Sequence, residues 1–159
     1  MVAGIREPDM TCLLQSTAIV ALVSFCAPAL AESLQGTLYK DQNCPCCEGH
    51  ARYLERHGID VHIKPVADIA AISKGVGVPA DYQGCHTLML GGYAIEGHVT
   101  VEIIHKLLNE HPADVVGISL PGMPTGVPGM TGPYEGPYKV YAIKKDGSVS
   151  VFAEQTNSN

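Results

Sequence analysis

The 159-residue chain is short of positive charge: ten Lys and Arg stand against sixteen Asp and Glu, for a formal net charge of −6. That deficit excludes a nucleic-acid partner, because gripping a phosphate backbone takes a basic surface. Charged residues of both signs make up only 16% of the chain and hydrophobic ones 46%, the balance of a folded globular protein and not of a disordered one. The sequence also lacks an internal repeat, a Ser-His-Asp constellation, a phosphate-binding loop and any paired set of charged side chains. No uninterrupted apolar run is long enough to span a membrane. The longest, Leu13–Leu30, is broken by Gln15, Ser16 and Pro28.

That same stretch suits a secretory signal. It ends in Ala29-Leu30-Ala31, the small-x-small pattern that signal peptidase cuts, which places cleavage before Glu32. Ahead of it Arg6 faces Glu7 and Asp9, and initiation at Met10 would remove that acidic pair. Residues 1–31 are therefore expected to be a signal peptide and residues 32–159 a single exported domain, periplasmic and free of the membrane once cut. Cleavage removes Cys12 and Cys26 and leaves Cys44, Cys46, Cys47 and Cys85. Three cysteines within four positions cannot staple distant parts of a fold, and so short a loop restrains the unfolded chain only weakly. These thiols are read as chemical.

Hydrophobic periodicity organises the mature chain. Leu34–Lys40 reads as a strand, Asp41-Gln42-Asn43 as a turn, Glu48–His57 as a helix stopped by Gly58, and Ile59–Val66 as a second strand. Ala67–Lys74 is a short helix, and Thr87–Leu90 with Tyr93–Glu96 forms a hairpin about Gly91-Gly92. Thr100 can cap a helix over Val101–Glu110, which Pro112 ends. Pro121–Pro137 alternates proline and glycine too densely for regular structure and is too long for an idle connector. Tyr138–Ile143 and Ser148–Phe152 make a final hairpin about Asp146-Gly147. The order β-α-β-α-β-β-α predicts an α/β thioredoxin-like fold: a mixed sheet flanked by helices, with an added Gly/Pro-rich loop and a C-terminal β-hairpin.

Cys44-Pro45-Cys46-Cys47 falls where a first strand gives way to a first helix, a place whose backbone N–H groups favour thiolate over thiol. Cys44 and Cys47 have C-x-x-C spacing, but Cys46 is a third thiol that would scramble a simple redox pair. Three clustered thiolates suit a soft metal, Cu(I) ahead of Zn(II). Cys85-His86-Thr87 precedes the third strand, which in a thioredoxin-like layout faces the C-x-x-C motif, so Cys85 is expected beside the other three. Four thiolates could hold one tetrahedral zinc or a small thiolate-bridged copper cluster.

Several separated motifs carry a resemblance: Tyr39-Lys40-Asp41-Gln42-Asn43-Cys44-Pro45-Cys46-Cys47, Cys85-His86-Thr87, Gly91-Gly92-Tyr93, Glu96-Gly97-His98-Val99, Pro121-Gly122-Met123-Pro124 and Pro128-Gly129-Met130. Together, over Thr37–Ala153, the chain resembles the CopG-type periplasmic copper-resistance proteins, long catalogued as a domain of unknown function. The resemblance implies a thioredoxin-like fold, a periplasmic location and copper held by the C-x-C-C cysteines. Thr100 departs from a proline common at that place, and no candidate ligand is lost.

Around the four cysteines, Met123 and Met130 offer thioethers suited to Cu(I), against the plainer role of plugging gaps under the loop. His86 and His98 suit Cu(II) or a hydrogen bond to a thiolate. His50 reads as a solvated helix residue, and His57, His62, His105 and His111 as surface residues. The sequence thus points to a protein that sequesters or passes on Cu(I), with other periplasmic copper-handling proteins as partners and copper redox cycling as an extension. Two alternatives stand: a thiol-disulfide oxidoreductase using Cys44 and Cys47, and a structural zinc site.

Overall fold

The computed structural model describes Met1 and residues 33–156. The chain divides into Met1–Ala31 and Glu32–Asn159. Apart from Met1, the expected signal segment lies outside the described residues, with Cys12 and Cys26 in it. No helix among the described residues is long and apolar enough to cross a membrane.

Among the described residues, seven strands and three α-helices follow one another as β1 (Leu34–Asp41), α1 (Pro45–Arg56), β2 (Ile59–Val66), α2 (Ile69–Gly75), β3 (His86–Leu90), β4 (Tyr93–Glu96), α3 (Val101–Glu110), β5 (Val115–Ser119), β6 (Tyr138–Lys144) and β7 (Val149–Gln155), with a 3-10 turn at Ala80–Tyr82 before β3. They build one mixed sheet in the order β2-β1-β3-β4-β5-β6-β7. β1 runs parallel to β2 and antiparallel to β3, and β3 is antiparallel to β4, the expected thioredoxin-like layout. Consecutive strand residues go to opposite faces. Leu88, Ile95 and Ala142 join the larger core, where Ala51 and Leu54 of α1 and Ile104 and Leu107 of α3 are also buried. Met89, Ala94 and Ile143 turn to a smaller cluster with Val78.

Two elements depart from the sequence reading. The helix expected from Glu48 starts at Pro45, because proline at the first helical position forfeits no hydrogen bond. Cys46 and Cys47 therefore lie within the first turn of α1, with Cys44 as its N-cap. β5 was not anticipated. Its five residues carry a glycine between Pro112 and Pro121 and have no alternation of their own, so their strand state comes from pairing with β4. Through β5 the C-terminal hairpin joins the main sheet.

The Gly/Pro loop between β5 and β6 carries no helix or strand, as expected, and it is seated on α1. A Cβ added to Gly129, whose φ is +83°, would fall 2.4 Å from the His50 nitrogen and 2.7 Å from the Cys46 carbonyl oxygen. A Cβ on Gly49 would fall 2.9 Å from Cα of Gly129. Loop and helix thus meet backbone to backbone, an approach only glycine permits. From the other end, buried Gln155 of β7 accepts from the Thr100 N–H at 2.9 Å and donates to the His98 carbonyl at 3.0 Å.

Candidate metal centre

Cys44 is the N-cap of α1, and its sulfur accepts from the Cys47 N–H at 3.3 Å. That bond satisfies one of the orphan donors of the first turn and fixes where the sulfur sits. The turn before it is tied down by Lys40, a buried lysine that sequence reasoning passed over. Its Nζ donates to the carbonyls of Asp41 (3.1 Å) and Gln42 (3.3 Å) and pairs with Glu48 of α1 at 3.2 Å. The strand end and the helix start are thereby clamped together.

The start of β3 brings Cys85 to this turn from 38 residues away, with its sulfur 3.4 Å from that of Cys47. The Cys46 sulfur is 3.4 Å from that of Cys44. All four sulfurs lie within 4.8 Å of one another, so the expected grouping is present. Cys44 and Cys47 are joined as a disulfide, leaving Cys46 and Cys85 as free thiols, both half-buried. Burial and the neighbouring Cys46 push the Cys85 thiol up to about 12. A nearby cation offsets both effects, and a thiolate set of this kind fits a soft metal ion.

Met130 and Met123 reach the same place. With Cys46, Arg52 and Gly129 they line a cleft of about 320 Å³. Met130 packs against the core, whereas Met123 is 60% exposed.

Behind the sulfurs lies a cluster of three buried imidazoles, and here the sequence reading of His50 is corrected. His50 is wholly buried, because it falls on the inward stripe of α1 formed by Cys47, Ala51 and Leu54. That i, i+3, i+4, i+7 spacing was the available signal. Its Nδ1 is 2.8 Å from Nε2 of His86 and its Nε2 is 2.9 Å from the Val99 carbonyl. His86 Nδ1 lies 3.5 Å, and His98 Nε2 3.6 Å, from the Cys85 sulfur. His98 Nδ1 donates to the Pro128 carbonyl at 2.7 Å, which links β4's exit to the Gly/Pro loop. Burial, then the charge of His98, pushes His50 down to about 3. Burial, then the other two rings, holds His86 well below the usual range, and burial lowers His98 as well. All three are thereby biased toward the neutral form. His57, His62, His105 and His111 are exposed, as read from the sequence.

A family described as "Protein of unknown function, DUF411" matches residues 82–130, which include Cys85, His86, His98, Met123 and Met130. No protein with a curated description matches the chain. Two solved structures do, described as copper resistance protein CopG, forms 2 and 1. Form 2 is 38% identical, covers 79% of this chain and 100% of its own, and superposes with a TM-score of 0.72. For form 1 the values are 38%, 78%, 98% and 0.71. At that identity over the full length of the relative, the chain belongs to the CopG-type copper resistance family.

Proposed function

We propose that this protein is exported to the periplasm and there binds Cu(I) through the thiolates of Cys44, Cys46, Cys47 and Cys85, sequestering the ion or passing it to other copper-handling proteins. The observation that carries the reading is the meeting of four sulfurs within 4.8 Å at a helix start. Sulfur donors of this number and spacing favour a soft monovalent ion over the harder cations that compete for oxygen and nitrogen. The family's name supplies the metal, and the small-x-small sequence before Glu32 supports export. Met123 and Met130 line the cleft beside Cys46, where thioether sulfur can receive Cu(I) on its way to the thiolates.

The Cys44–Cys47 disulfide sets the condition for loading. A dithiol reductant that is itself oxidised to a disulfide returns both sulfurs as thiols, and binding then displaces their protons. That bond also favours a second reading, thiol-disulfide exchange, since free Cys46 and Cys85 flank it at 3.4 Å. Elemental analysis after anaerobic purification from copper-supplied cells tests the first reading. Copper is expected, and zinc with no copper would overturn it. Cys46→Ser separates the two: Cu(I) affinity should collapse in the variant, whereas a C-x-x-C reductase would keep its activity.

A further inference from the structure

Cys85 stands outside every helix and strand, between the Ala80–Tyr82 turn and β3, so no ladder of backbone bonds fixes it. Its position is nonetheless exacting. Its sulfur lies 3.4 Å, and its carbonyl oxygen 3.5 Å, from the sulfur of Cys47 on α1. What holds it comes from the opposite face of the sheet. Leu88 and Ile95 turn toward the larger core, so their chain neighbours Thr87 and Glu96, paired across β3 and β4, turn the other way. There Glu96 divides its carboxyl group. Oε2 accepts from the Gly84 N–H at 2.9 Å, and Oε1 is 2.7 Å from the Thr87 hydroxyl.

Gly84 and Thr87 flank Cys85-His86, so one carboxyl group grips the segment at both ends. Two further contacts support the grip. The Ser73 hydroxyl of α2 lies 2.9 Å from that of Thr87. Gly84 packs so closely on Gly97 that an added Cβ would fall 2.7 Å from the Gly97 nitrogen. Such a group is costly to bury. Glu96, Thr87 and Ser73 are all 0% exposed, and among the described residues no cation pairs with the carboxyl. Burial pushes that carboxyl up, against the bonds from Gly84, Thr87 and Ser73. A buried acid without a counter-charge is a poor stabiliser, and an apolar side chain of similar volume would suit a covered sheet face better. What Glu96 offers instead is two oxygens at a fixed separation.

We propose that Glu96 is a positioning residue for the four-sulfur centre: its two oxygens span Cys85 and His86 and seat the Cys85 sulfur against that of Cys47. It acts through the backbone, and its charge is not required. In Glu96→Gln the amide oxygen takes the Gly84 N–H, and the amide nitrogen donates to Thr87, which turns its own proton to Ser73. Glu96→Leu fills the space and releases both ends.

The test reads position directly and needs no copper. In Cys44→Ser/Cys46→Ser, where serine still caps α1, Cys47 and Cys85 are left to pair with each other. Equilibration with glutathione, read by peptide mapping, gives their effective concentration. Each disulfide formed consumes one oxidised glutathione and returns two reduced ones. In this background Glu96→Leu should lower the effective concentration at least tenfold, and Glu96→Gln should hold it within threefold. Val140→Ala, a core deletion in β6, should lower Tm and leave it unchanged. An unaltered value in Glu96→Leu, or an equal fall in Glu96→Gln or Val140→Ala, would overturn the proposal. Amide exchange in the wild type decides independently of how the variants fold. A Gly84 N–H protected like the amides of β3 supports the clamp, and exchange as fast as at exposed Gly147 rejects it. The consequence for copper rests on the Cu(I) reading above: Glu96→Leu should weaken Cu(I) affinity at least tenfold in the reduced protein. Wild-type protein that bound no Cu(I) would overturn that reading, and the glutathione result would still decide this one.

Discussion

A single side chain, His50, shows how much of this centre is set residue by residue. Its ring is sealed from water between His86, Tyr53 and the Val99 carbonyl, and burial holds it neutral down to about pH 3. In the unfolded chain it titrates near 6.5. The folded value is the lower one, so its contribution is complete above about pH 6.5 and is lost as pH falls from there toward 3, where the unfolded chain binds the extra proton. Urea unfolding of the metal-free protein over this range should show stability dropping by about 1.4 kcal/mol per pH unit for this residue, steepened by His86 and His98. His50→Leu should flatten that limb by one proton while lowering stability at neutral pH, because it strands the His86 N–H. At this scale the sequence was half legible. Three cysteines in four positions announce chemistry by spacing alone. The solvated reading of His50 fails because its hydrogen-bond partners lie 36 and 49 positions away, although its place in the Cys47–Ala51–Leu54 stripe is visible.

Elements, not residues, bring Cys85 and the Gly/Pro loop to the site. Cys85 was placed correctly because strand and helix order fixes which ends of a thioredoxin-like sheet face each other. β5 was missed because a strand of five residues with a central glycine owes its state to a neighbouring edge. The loop was recognised as irregular, but its docking was not legible: glycine signals freedom in a sequence, and only the folded helix shows that Gly129 is needed for close approach. Gly129→Ala should therefore cost about 1–3 kcal/mol in chemical denaturation, through positive φ and the clash with the His50 nitrogen and Cys46 carbonyl. Because the same loop supplies the Pro128 carbonyl to His98, the variant should also weaken metal binding, measured by chelator competition.

On the scale of the whole molecule, the candidate metal site sits on a core built largely from other residues. One large apolar cluster and a smaller one pack the seven-stranded sheet, so chelator-stripped protein should still unfold cooperatively, as followed by circular dichroism. Failure of the apoprotein to fold would point instead to structural zinc. Cu(I) at a hundredfold excess over its dissociation constant should add about 2.7 kcal/mol, roughly 10 °C in Tm, to the reduced protein and far less to the disulfide form. One contact gives this architecture a temporal order. A chain is synthesised from its N-terminus, so every sulfur and imidazole of the centre has emerged before β7. Yet the side chain that pins the His98 and Thr100 backbone is Gln155, on the last strand to arrive. A chain without β7 would carry every cysteine of the centre and still lack the fixed seat of His98, so the centre takes its final form only once β7 has paired.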